Sequence, residues 1–186
     1  YLKYYLITLL FFGIFYLNLK HDVGNDSTIS EWLINYTGGF TKRGLIGQFS
    51  INFAYYLSLN LRDSILILQI FTLIVYFIAL YIFMGDLKVN KIIVLAIFTP
   101  IFILYPIAEI EVLVRKETLV FCIYLFYFFL NSSSHRFYHK LFFLPLAVLI
   151  WEPVFFFFPF FLAIDIIKEK QKKININFAK IIASYV

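Results

Sequence analysis

From Ser64 to Met84 the chain carries no Asp, Glu, Lys, Arg or His. A helix of roughly 20 apolar residues is what crosses about 30 Å of hydrocarbon, and this run is that long. Composition agrees: 15% of residues are charged, against about 25% in soluble domains. Hydrophobic residues reach 62% and aromatics 22%. In lipid every backbone N–H and C=O must find a partner within the protein, which leaves helices and closed barrels. The long unbroken apolar runs predict an all-α integral membrane protein.

Further runs follow the same logic. Tyr4–Leu19 is apolar and lacks a small-residue cleavage site after it, so it reads as a retained helix. Ile92–Ile107 is interrupted by Pro100 and Pro106. Thr118–Leu130 is short for a span, and is expected to extend back through Glu109–Glu117. Leu141–Ile167 contains Pro145, Pro153 and Pro159. About five to six transmembrane or re-entrant helices are expected in one transmembrane domain covering 1–186. The apolar run Ile174–Val186 reads as the start of a further helix, so the chain is expected to be an N-terminal piece of a longer protein. Cys122 stands alone, which excludes a disulfide framework.

Lys and Arg in short loops mark the cytoplasmic side. By that rule Lys88 and Lys91, Arg136 and Lys140, and the tail from Lys168 to Lys173 face the cytoplasm, and 20–63 is an outer loop. Within that loop Leu45, Ile46, Phe49, Phe53, Tyr56 and Leu57 recur at helical spacing, which predicts an amphipathic surface helix. The alternative is a helix packed on the protein's own spans. Leu141–Ile167 carries cytoplasmic-type charge at both ends. It is either one kinked helix or a hairpin with its tip at Trp151–Glu152–Pro153.

Ionisable groups in apolar runs are costly, and they mark functional sites more often than chance allows. Glu152 is such a group: a candidate base, metal ligand or partner for a cation such as Arg115. Glu111 and Arg115 would share a helix face. Arg115 and Lys116 suit a phosphate, as do Lys42 and Arg43 beside the predicted helix start. Asp22, Asp26 and Glu31 are candidates for a general base or for holding a divalent cation; Asp26, Ser27 and Ser30 also suit the N-cap of a helix containing Trp32 and Leu33. His135 and His139 lie four apart but lack a neighbouring carboxylate or Cys, so they read as part of a basic loop. The net charge of +5 lies at membrane edges, which points to anionic lipid rather than nucleic acid.

Three segments, NYTGGFTKRGLIG at 35–47, VRKETL at 114–119 and WEPVFFFFP at 151–159, resemble a pattern found in bacterial polytopic membrane proteins related to cell-surface polysaccharide polymerases and lipid-sugar-dependent glycosyltransferases. Lys42 replaces the pattern's first Arg, and Trp151 replaces its His. The resemblance implies a plasma-membrane enzyme whose substrate is a polyprenyl-phosphate-linked sugar, with an outer-loop carboxylate (Asp22, Asp26 or Glu31) as base. Two other readings stand beside it: a transporter or lipid flippase with a midplane carboxylate, and a non-catalytic subunit of a membrane complex.

Overall fold

The computed structural model describes residues 2–23, 27–85, 90–99, 105–108 and 112–171. These are mostly helical, with no strand among them. The order is α1 (Leu2–Val23), α2 (Ser27–Leu33), α3 (Leu45–Leu57), α4 (Leu61–Gly85), α5 (Lys91–Phe98), α6 (Tyr105–Ala108), α7 (Glu117–Phe129), α8 (Ser133–Ile150), a 3₁₀ segment (Glu152–Phe157) and α9 (Phe158–Gln171). Two helices, over Leu2–Asp22 and Leu61–Gly85, are long and apolar enough to cross a membrane. The other described helices are shorter or more polar. The run from Ile174 lies outside the described residues.

α4 is the reference rod of the bundle. α1 lies antiparallel to it: His21 Nε2 is 3.0 Å from Asp63 Oδ1, and a Cβ on Gly13 would lie 2.9 Å from the Leu73 side chain. α7 lies parallel to α4, because Tyr76 shares a core cluster with Cys122 and Phe83 meets Phe128 edge-on at 4.8 Å. α8 then runs back along α7, packing Ala147 and Ile150 against Val120.

Proline and backbone strain set the breaks. Ile92–Ile107 is not one span. α5 stops at Thr99, whose backbone is extended, because a residue before proline is driven out of the helical region. α7 does not run back through the charged residues. Val114 takes φ 47°, a left-handed turn that ends any helix arriving from before it. The stretch around His135–Lys140 is the first part of α8 rather than a loop. Leu141–Ile167 is broken at Trp151, whose extended backbone precedes Pro153. Pro159 stands in the first turn of α9, where no intrahelical N–H bond is lost.

The amphipathic helix expected in the outer loop is α3. It packs against α2, α4 and α8, burying the small residues Gly47, Ser50 and Ala54. Phe49, Tyr55 and Tyr56 remain exposed. Its small face lets it lie close to α4, so it is packed on the bundle rather than merely resting on a surface.

Candidate functional site

The site begins with a latch between distant segments. Trp32, in α2, is buried, and its indole N–H donates to the carbonyl of Val114 at 3.1 Å. That bond holds α2 over the turn Val112–Lys116. Glu31, one residue earlier, consequently meets the two cations after the turn. Lys116 Nζ is 2.9 Å from Glu31 Oε2 and is fully buried. Arg115 Nη2 is 3.6 Å from Glu31 and 3.4 Å from Glu117. Arg43, held at φ 68°, reaches Glu152 at 3.9 Å.

The cluster therefore collects three chain reversals. One lies between α2 and α3 and carries Arg43. One lies before α7 and carries Arg115, Lys116 and Glu117. One lies between α8 and α9 and carries Glu152. Their level can be read along α4. Counting back equally along the two parallel helices from the Phe83–Phe128 contact puts Glu117 beside Thr72. That is about 14 Å from Asp63 along the helix axis.

The pairs are unequal. Lys116–Glu31 is the shortest, and Lys116 Nζ also donates to the Glu31 backbone carbonyl at 3.4 Å. Burial alone would push the Glu31 carboxyl up. The Lys116 contact and the charges of Arg115 and Arg43 outweigh burial and hold it below its ordinary value. A carboxylate so held is a poor base. The other pairs exceed the 2.7–2.9 Å, roughly, of a charge-assisted hydrogen bond. Arg115 Nε and Glu117 Oε2 are buried with no hydrogen-bond partner. Arg43, Arg115 and Glu152 each keep about a third of their side chain exposed. These are groups that an incoming oxyanion or hydroxyl can re-partner at small cost.

Of the residues expected to act, the fold brings together Glu31, Arg43, Arg115, Lys116 and Glu152. Glu152 pairs with Arg43 rather than with Arg115. Asp22 stands apart at the Asp63 end, exposed and 3.7 Å from His21. Lys42 is exposed. Asp26, Glu109 and Glu111 lie outside the described residues. Arg115 is not helical, so the shared-face pairing with Glu111 does not apply. His139 is buried against Tyr127 and Phe143, whereas His135 is exposed. Among the described residues no group of three or more His, Cys, Asp or Glu is placed to hold a metal ion.

Two structural supports escaped sequence reasoning. One is the Trp32–Val114 latch. The other is Gly47, where a Cβ would lie 1.9 Å from the Ile34 carbonyl oxygen. A glycine spaced among helix-forming residues was the available signal. No family model, no curated protein and no solved structure matches this chain.

Proposed function

We propose that the chain belongs to an integral-membrane glycosyltransferase or polymerase acting on a polyprenyl-phosphate-linked sugar in bacterial surface glycan assembly. α1 and α4 cross the plasma membrane, and the remaining helices complete a multi-pass domain of five to six spanning or re-entrant elements. The observation that carries the reading is the pairing of Glu152 with Arg43 beside Arg115: a half-open carboxylate next to loosely held guanidinium groups. Glu152 takes the proton of the acceptor hydroxyl. The acceptor oxygen bonds to the sugar's anomeric carbon as the bond from that carbon to the phosphate oxygen breaks. Arg43 and Arg115 stabilise the charge left on the phosphate. Lys116 and Glu31, locked together, hold the turn in place.

Glu152→Gln and Arg115→Ala are expected to lower transfer from a polyprenyl-phosphate-linked sugar by at least about 100-fold, the scale of a lost general base or oxyanion donor. Insertion into the membrane should be unchanged. Full transfer by both variants would sink the enzyme reading. A second reading, a transporter or lipid flippase, draws support from the level of the cluster, near the middle of the uncharged run of α4. Broken helices meeting at mid-depth are the usual makings of a transport site. Substrate movement across proteoliposomes without glycosidic bond formation would decide for it.

A further inference from the structure

The second dense charged cluster lies at the Gly85 end of the bundle, and it is drier than the first. Asp165, in α9, has 5% of its side chain exposed, and Arg136 has 2%. Desolvating such ions costs several kcal/mol each unless every lone pair is met. Here those of Asp165 are met from two neighbouring helices, α7 and α8. Asp165 Oδ1 accepts from the Tyr127 hydroxyl at 2.6 Å and from Arg136 Nε at 2.6 Å. Oδ2 accepts from Lys140 Nζ at 2.9 Å. Arg136 Nη1 also donates to the Asn131 carbonyl at 3.1 Å. Lys168, nearly one turn past Asp165, donates to the carbonyls of Phe128 and Leu130. These cations cap the orphan carbonyls at the negative end of α7.

The cluster also fixes direction. α9 meets α7 first through Phe161 on Tyr124, 4.3 Å between ring centroids, then through Asp165 on Tyr127, then through Lys168 on Leu130. It therefore runs parallel to α7 and antiparallel to α8. The first turns of α8 and the last turns of α9 lie together, level with Phe83 of α4. Glu152 lies at the far tip. Ser64–Met84 spans about 31 Å at 1.5 Å per residue, and the 15 residues from Arg136 to Trp151 cover about 22 Å, so the tip stops short of the far end.

We infer that residues 133–171 form a re-entrant hairpin that enters and leaves the membrane on one side, and that the Asp165–Arg136–Lys140–Tyr127 cluster seals its foot and so positions Glu152 against Arg43. The inference rests on α1 and α4 as membrane spans, and not on the transfer reaction. Labelling and crosslinking report the place of Glu152 independently of activity.

The test uses the whole chain in proteoliposomes on a Cys122→Ala background. Ser134→Cys and Lys170→Cys, both exposed, should react with a membrane-impermeant maleimide from the same side. Asn60→Cys should react from the opposite side. Labelling of 134 and 170 from opposite sides overturns the hairpin. For the seal, a short bis-maleimide should join Arg43→Cys to Glu152→Cys, whose native side chains meet tip to tip, and Asp165→Asn should lower the crosslinking yield at least about tenfold. The exchange Arg136→Asp with Asp165→Arg should restore it. An unchanged yield in Asp165→Asn overturns the seal. If Asp165→Asn fails to insert, the exchanged pair decides: recovered one-sided labelling supports the seal, and failure to recover overturns it.

Discussion

The indole N–H of Trp32 is bonded to the carbonyl of Val114, 82 residues further along the chain, and on that one bond depends the meeting of Glu31 with Arg115 and Lys116. Trp32→Phe keeps the ring's bulk and deletes the donor, leaving a buried carbonyl unpaired. It should cost about 1–3 kcal/mol. Trp32→Ala should cost about 3–5 kcal/mol by adding a cavity. Denaturation followed by circular dichroism in detergent separates the two; equal stability of Trp32→Phe and the parent would refute the latch.

Gly47 and Gly38 make a matched pair. A methyl group on Gly47 would collide with the Ile34 carbonyl, whereas around Gly38 there is nothing within 4 Å. Gly47→Ala should lose stability toward the upper end of the about 1–3 kcal/mol typical of overpacking. Gly38→Ala should stay within about 0.5 kcal/mol of the parent. Thermal melts of the two variants side by side provide the check.

Glu31 predicts a pH dependence. Its carboxyl lies below its ordinary value when folded, so the unfolded chain binds its proton more readily. The stabilisation is complete above the ordinary carboxylate range and drains away as pH falls through and below it. Glu31→Gln should be less stable than the parent at neutral pH and should show a flatter stability profile on acidification. Parallel profiles for the two proteins would contradict this.

Arg43 separates stability from function. At φ 68° a non-glycine residue carries about 1–2 kcal/mol of strain, and its half-exposed pairing with Glu152 returns at most about 1 kcal/mol. Arg43→Gly should therefore melt at or slightly above the parent's temperature while transfer falls at least about tenfold. A lowered melting temperature with intact transfer would assign Arg43 a purely structural role.

The two long helices were legible because an uncharged run admits few other interpretations. α4 covers Ser64–Met84 with three residues added before it and one after, and α1 covers Tyr4–Leu19 with room at both ends. The hairpin break at Trp151 was legible as one of two choices, since Pro153 and the charge at both ends pointed to it. The start of α7 was not, because nothing in the letters at 112–116 announces that Val114, a β-branched residue, takes a left-handed turn. That turn is held by contacts distant in sequence, the Trp32 latch and the Lys116–Glu31 pair, together with the burial of Val114. The grouping of Glu31, Arg115 and Lys116 was half legible: each residue stood out for its charge, but their meeting depends on contacts made across some 80 positions. Asp165 was overlooked because LAIDIIKEK reads as the frayed, charged end of a span. Its partners Arg136 and Lys140 read as an ordinary basic loop, and a pairing 29 residues apart leaves no periodic trace.

The sealed foot has a consequence for how the protein is made. Arg136 and Lys140 leave the ribosome 29 and 25 residues ahead of their carboxylate. At about 5–20 residues per second, that is roughly 1–6 s during which two cations await Asp165, the carboxylate that bonds them both. α8 cannot settle into lipid alone in that interval without burying both charges unpaired. On the re-entrant reading, the order of synthesis then favours entry of α8 together with α9, the two arms going in as one folded unit.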